Sequence, residues 1–195
     1  KPDVIVNFAA HAGLVPQSWI YPREFYTTNL FLPVNIAQRL DCKYIHIGSS
    51  EVYGSNTFPV TEEAPIKCSS PYAVSKAAAD LHLMTLKDER ITIVRPSNSY
   101  CPGQSLHRLI PRAVLAALTG KKMPLQGNPS KSYLHANDLS AAIELLINEH
   151  TPGIFNVGSE SPSSIHKIVE EIASQFQMTT REIADVTEGR ANENA

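Results

Sequence analysis

Two short segments hold side chains whose types and spacing suit proton-transfer chemistry. In Tyr72-Ala73-Val74-Ser75-Lys76 a phenol and an ammonium lie four residues apart, so on a helix both project from one face about one turn apart. A phenol with an ordinary pKa near ~10 is a poor base at neutral pH, and a cation held beside it favours the phenolate. A surface lysine next to a half-buried tyrosine has the same spacing, and a chain of this composition contains roughly 0.3 such pairs by chance. The second segment is Gly48-Ser49-Ser50-Glu51-Val52-Tyr53-Gly54, placed where a strand is expected to end. In an open α/β sheet, ligands bind outside the carboxyl ends of the strands. A serine there can donate a hydrogen bond to a carbonyl or alkoxide oxygen, and a carboxylate can move a proton on carbon. A capped turn accounts for the same residues without chemistry.

The elements that must position these groups alternate between strand and helix, the pattern of βαβ units and a largely parallel sheet. Strands are expected at Asp3–Phe8, Lys43–Gly48, Ile91–Arg95 and Ile154–Val157, with weaker ones near Met123–Gln126 and Ser132–Leu134. Helices are expected at Glu24–Leu40, from Ser70-Pro71 onward, at Arg108–Thr119 closed by Gly120, and from Asn137-Asp138 to Asn148. Ser70 suits a helix cap and Pro71 the first helical position. Ser164 caps a last helix, on which Ile165, Ile168, Val169, Ile172 and Phe176 form a core stripe. His11–Pro22 and Gly54–Ser70 have loop chemistry. Trp19 is expected to pack within the first of these loops, and His46 to be a satisfied core histidine.

Composition narrows the classes. The chain has 195 residues, 17 Lys+Arg against 19 Asp+Glu, 43% hydrophobic and 18% charged residues, an ordinary globular profile. The near-neutral balance gives no reason to expect nucleic acid or a membrane surface as partner, and no apolar run reaches the roughly 20 residues of a spanning helix. Cys42, Cys68 and Cys101 form no C-x-x-C, which fits a reducing cytoplasm. The seven histidines include no H-x-x-x-H pair, so no metal site is expected. Gly48-Ser49-Ser50-Glu51-Val52 is not G-x-S-x-G. Lys1 is not an initiator methionine and Thr187–Ala195 is polar without a stop signal, so the chain is expected to be an internal piece of a longer one.

Taken in order, Asn7-Phe8-Ala9-Ala10, Ser49-Ser50-Glu51-Val52-Tyr53-Gly54, Ser70-Pro71-Tyr72-x-x-x-Lys76 and Arg95-Pro96-Ser97-Asn98-Ser99-Tyr100 resemble the extended short-chain dehydrogenase/reductase family. More narrowly, the pattern is similar to the NAD-dependent nucleotide-sugar epimerases and dehydratases, and it runs from Asp3 to about Phe176. The resemblance implies an α/β fold: a Rossmann-type doubly wound parallel sheet with a smaller, interwoven C-terminal substrate-binding part. Residues 1–95 would belong to the NAD-binding domain, and 96–195 mostly to the substrate part with returning Rossmann elements. It implies that Ser49 and Tyr72 contact the hydroxyl being oxidised and that Lys76 binds the nicotinamide ribose. Ala9, Ala10, Asn29 and Pro96 would line the NAD site. Asn98, Arg108, Leu109 and Lys131 would hold a nucleotide-diphosphate sugar.

Within the group, Glu51 matches the glutamate by which 4,6-dehydratases remove the carbon-5 proton. Ser50 stands at the position of their acid. Lys131 stands where an arginine grips the diphosphate, keeping the charge but losing the bidentate fork, and Cys101 replaces a usual glycine. A 4,6-dehydratase is the reading implied. UDP-glucuronate decarboxylase, with its similar Ser-Glu arrangement, and 4-epimerase are the alternatives, and a non-catalytic NAD-sensing protein is the alternative from another class. In relatives, helices matching Glu24–Leu40 and Pro71–Lys87 build a homodimer's four-helix bundle. The family's Gly-rich phosphate loop has no counterpart here: no two glycines are two or three residues apart. Residues 1–195 alone are therefore expected to bind NAD poorly.

Overall fold

The structure, a computed structural model, describes residues 1–12, 15–39, 41–55, 59–149 and 151–187. Leu40, the expected end of a helix, and the polar end beyond Thr187 lie outside the described residues. Two compact units are present: Lys1–Ser97 with Asn137–Gly158, and Asn98–Ala136 with Ser159–Ala195.

The first unit is a four-stranded parallel sheet. Its strands are β1 (Val4–Asn7), β2 (Lys43–Ile47), β3 (Ile91–Pro96) and β8 (Gly153–Val157), in the order β1-β2-β3-β8. Between β1 and β2 the chain forms α1 (Val15–Ile20), α2 (Pro22–Tyr26), a π-helical turn (Thr27–Phe31) and α3 (Leu32–Arg39). A 3₁₀ turn (Ser50–Tyr53) and α4 (Pro71–Thr85) join β2 to β3, and α6 (Ala136–Glu149) precedes β8. Register pairs Ile5 with Tyr44, Asn7 with His46, Tyr44 with Ile91 and His46 with Ile93. Because side chains alternate along a strand, Asn7, Tyr44, His46, Ile91, Ile93 and Arg95 share one face. Tyr44, Ile91 and Ile93 form a core there with Ala37 of α3 and Leu83 of α4. The same face also carries the buried polar groups His46 and Arg95.

The second unit contains three two-stranded pairings. β4 (Asn98–Tyr100) runs parallel to β7 (Tyr133–His135), β5 (Met123–Gln126) runs parallel to β10 (Ala184–Thr187), and β6 (Ser130–Lys131) runs antiparallel to β9 (Ser163–Ser164). Its core joins Ala113 and Ala116 of α5 (Leu109–Thr119), Val169 and Ala173 of α7 (Ile165–Gln175), Ile183 of α8 (Thr180–Ile183), and Met123 and Leu125. Gly120 closes α5 in the left-handed region at φ 68°, a helix end that favours glycine.

Several expectations are corrected. The loop expected over His11–Pro22 contains α1, and the single helix expected from Glu24 is α2, the π turn and α3 in sequence. Pro16 and Pro22 have loop chemistry, but proline is also at home in a first helical turn, where both lie. Trp19 lies on α1 and is 65% exposed rather than packed. The stripe on α7 is core through Ile165 and Val169, but Phe176 is exposed beyond the helix end. β4, α8 and β10 are additional elements without a clear period in their few residues.

Candidate active site

The carboxyl end of β2 turns sharply. Ser49 is extended and caps the 3₁₀ turn, its Oγ accepting from the Glu51 backbone N–H at 3.2 Å. The turn closes at Gly54, whose φ is 67°. A Cβ on Gly54 would stand 2.1 Å from the Lys67 carbonyl oxygen, so both space and backbone require glycine here. Ser50 and Glu51 are half-buried on this turn, while Val52 and Tyr53 are buried beneath it.

Helix α4 packs against that turn. Ser70 Oγ accepts from the Ala73 N–H at 3.1 Å and Pro71 occupies the first turn, as the sequence predicts. Tyr72 is half-buried, and its ring meets Phe25 edge to face at 6.2 Å; Phe25 in turn meets His11 at 4.3 Å. Lys76, one turn further, is only 3% exposed, and its Nζ donates to the Ile47 carbonyl at 2.6 Å. The ammonium is thereby tied to the strand end that leads into Ser49. Burial pulls its pKa down to about 8, with Asp80 opposing the shift.

Asn29 sits on the π turn, buried, with every side-chain group engaged. Its Oδ1 accepts from the His11 N–H at 2.7 Å, and its Nδ2 donates to the His11 carbonyl and to Ser75 Oγ at 3.1 and 3.0 Å. Ser75 Oγ donates to the Tyr72 carbonyl at 2.7 Å. The segment after β1 is thus clamped to the helix that carries Tyr72 and Lys76. π turns inside helices are frequent at functional sites. Asn7 Oδ1 accepts from the Ala9 N–H at 3.1 Å and so shapes the start of Ala9-Ala10, while Pro96 ends β3.

Beneath the turn lies a buried polar network that the motifs did not reveal. Asp80 is fully buried and its Oδ2 accepts from Arg95 Nε at 2.8 Å. The Arg95 guanidinium also donates to Tyr53 Oη at 2.7 Å. Tyr53 Oη donates to Asn156 Oδ1 at 2.8 Å, and the Asn156 N–H donates to Glu62 Oε1 at 2.7 Å. His46 is not the satisfied histidine expected: neither ring nitrogen has a hydrogen-bond partner among the described residues. Its Nε2 stands 3.7 Å from Asp80 Oδ1, yet burial drives its pKa down to about 3, so the imidazole is neutral and the pair is not an ion pair. The available signal was Asp80 four residues after Lys76 together with an arginine inside an otherwise apolar strand.

The first unit therefore brings together Ser49, Ser50 and Glu51 on the turn with Tyr72 and Lys76 on the helix packed against it, and Asn29 clamps that helix. Asn98, Arg108, Leu109 and Lys131 belong to the second unit. There the Asn98 backbone N–H and Nδ2 both donate to the Ser132 carbonyl at 3.2 Å. Arg108 is exposed at the N-cap of α5, Leu109 packs against the unit's core, and Lys131 is exposed on β6 opposite Ser163.

The chain resembles known proteins along nearly its whole length. It is 27% identical over 194 residues to human dTDP-D-glucose 4,6-dehydratase, covering 93% of this chain and 55% of that protein. The structure of dTDP-glucose 4,6-dehydratase from Bacillus anthracis in complex with NAD matches 97% of this chain and 61% of its own, with a TM-score of 0.81 and 31% identity. That of the dTDP-glucose 4,6-dehydratase DesIV from Streptomyces venezuelae, also with NAD, matches 96% of this chain and 61% of its own at a TM-score of 0.85 and 26% identity. The chain spans between 28% and 58% of the length of the curated relatives it matches. These structures carry the same Rossmann-type sheet. A family profile spans residues 1–158 and takes in every strand of the parallel sheet together with the serine-glutamate turn and the tyrosine-lysine helix: the chain belongs to the NAD dependent epimerase/dehydratase family.

Proposed function

We propose that the chain is part of an NAD-dependent nucleotide-sugar 4,6-dehydratase, a lyase. The observation that carries this reading is the tie between Lys76 Nζ and the Ile47 carbonyl, which holds the tyrosine-lysine helix against the turn bearing Ser49 and Glu51. The names of the relatives support it. The donor set fits NAD: an ammonium has three protons, and among the described residues Lys76 gives one, to Ile47, leaving donors for ribose hydroxyls. When bound, NAD supplies the hydride acceptor for carbon 4 and the donor for carbon 6.

The chain's own groups do the rest. Tyr72, made more acidic by Lys76, takes the proton of the carbon-4 hydroxyl while Ser49 donates a hydrogen bond to that oxygen. Glu51 removes the carbon-5 proton, acidified by the neighbouring ketone, and passes it to the carbon-6 hydroxyl, which leaves as water as the double bond between carbons 5 and 6 forms. After hydride returns to carbon 6, carbon 5 takes up a proton from solvent, balancing the one that Tyr72 releases. Ser50 is a far weaker acid than the carboxyl it replaces, so Glu51 is the one carboxyl group on the turn. Asn98, Arg108, Leu109 and Lys131 bind the nucleotide-diphosphate sugar, with Lys131 meeting the diphosphate as a point charge rather than a fork.

The enzyme is proposed to act in the cytoplasm, in keeping with three free cysteines. No helix of the described residues is long and apolar enough to cross a membrane. It is proposed to pair with a second copy through a four-helix bundle, because Val74, Leu81 and Met84 are exposed along one stripe of α4. Residues 1–195 contain no G-x-G or G-x-x-G and are proposed to bind NAD poorly by themselves. Tight stoichiometric binding in a calorimeter would refute this.

The test of function is the full-length enzyme incubated with NAD and dTDP-, UDP-, GDP- and CDP-sugars, with product masses read. Loss of one water is expected. Loss of carbon dioxide from UDP-glucuronate would replace the reading by a decarboxylase, and unchanged mass would replace it by an epimerase or sensor. Glu51→Gln is expected to abolish water loss while leaving carbon-4 oxidation measurable; water loss at an unchanged rate would exclude Glu51 as the base.

A further inference from the structure

Lys76 carries a positive charge into a place almost closed to solvent, and a neutral carbonyl is its hydrogen-bond acceptor among the described residues. A buried charge needs a counter-charge or it loses its proton. The anion acting on Lys76 is Asp80, one turn further along α4. Its Oδ2 is taken by Arg95, whereas its Oδ1 accepts no hydrogen bond among the described residues. That free oxygen lies against Gly48, where a Cβ would stand 3.0 Å away. Gly48 directly follows Ile47, the residue whose carbonyl holds Lys76. The missing side chain at position 48 therefore lets the carboxylate approach the strand end where the ammonium is anchored.

Among the described residues, Arg95 is the other cation that acts on this carboxylate. On β2, His46 is kept neutral by burial. On the 3₁₀ turn, the Tyr53 phenol is bonded to Arg95 and Asn156. In the loop before α4, burial and then Asp80 itself push the Cys68 thiol up, and the Glu62 carboxylate is turned to the Asn156 N–H. On α2, Arg23 and Glu24 are exposed. Burial pushes the Asp80 carboxyl up, and the Arg95 guanidinium and the Lys76 ammonium pull against it.

We propose that Asp80 is a positioning residue: its unshared carboxylate oxygen is the counter-charge that keeps Lys76 an ammonium and, through Lys76, sets the pH range in which Tyr72 serves as base. The second half of this statement rests on the function proposed above; the first does not.

The test uses the full-length protein with ¹³Cε-labelled lysine, the Lys76 resonance being identified by its loss in Lys76→Arg. The wild-type midpoint is expected near 8. In Asp80→Asn it should fall by about one pH unit or more, the effect of removing an opposite charge at close range. Asp80→Glu, which keeps the charge, should restore it. The alkaline limb of kcat should move with the midpoint while KM changes little, an outcome that a purely structural role does not produce. Asp80→Asn leaves Arg95 buried without its partner, so Asp80→Asn/Arg95→Gln is made alongside and should show a smaller fall. An unchanged or raised midpoint in either variant overturns the proposal. So does a wild-type midpoint below about 6.5, where the counter-charge would be ineffective. If the midpoints move as expected but no sugar is turned over, the functional reading fails and the role of Asp80 stands.

Discussion

His46 and Lys76 are both basic groups taken out of water, and each leaves a mark on stability in its own pH window. The folded chain holds His46 neutral down to about pH 3, whereas an unfolded chain protonates it near 6.5. Between these values the unfolded state binds the extra proton, so stability falls as pH falls through 6.5 towards 3. The contribution is of order 5 kcal/mol, at about 1.4 kcal/mol for each pH unit crossed. His46→Leu, which removes two buried nitrogens without hydrogen-bond partners among the described residues, should flatten this part of the urea-midpoint profile; an equally steep profile would mean that other groups cause it. Lys76 gives the same sign from about 8 to 10.5, where stability rises with pH as the folded state sheds its charge first. Lys76→Met should leave Tyr72 without its neighbouring cation, moving the acid limb of kcat to higher pH and reducing turnover at neutral pH by about 10²–10⁴-fold. A variant with the wild-type profile would remove Lys76 from the chemistry.

At the scale of elements, two short irregular pieces hold the site. Gly54→Ala would drive a methyl group into the Lys67 carbonyl at a positive φ, and a loss of several kcal/mol is expected from the thermal midpoint. Ser70→Ala removes one cap bond and should cost only about 1 kcal/mol. A reversed order of these two effects would mean that the turn is softer than its geometry implies. The contrast between the pieces also explains what could be read in the chain. Ser70-Pro71 names its own helix start, and Ile91–Val94 is apolar enough to declare a buried strand. The clamp by Asn29 was legible only as a family resemblance, because a π turn has no sequence period and its hydrogen bonds reach to His11 and Ser75. The Asp80–Arg95 bond was not legible from motifs, since it depends on the register that sets Arg95 on the α4 face of the sheet.

At the scale of the molecule, the exposed stripe of Val74, Leu81 and Met84 predicts its own test. Leu81→Glu should convert a dimer into a monomer in light scattering, and a wild-type protein already monomeric would refute the bundle. The interrupted course of the first unit has another result. Its fourth strand returns only after the chain has laid down β4 to β7. A ribosome that has released residues up to Asn148 has exposed β3 with one row of backbone amides and carbonyls unpaired, and Tyr53 without Asn156. Such an edge is prone to pair with other chains. Synthesis of this chain therefore passes through a stage at which most of the proposed catalytic groups already exist but the sheet beneath them is still open, and chaperone demand should peak just before Gly153–Val157 emerges.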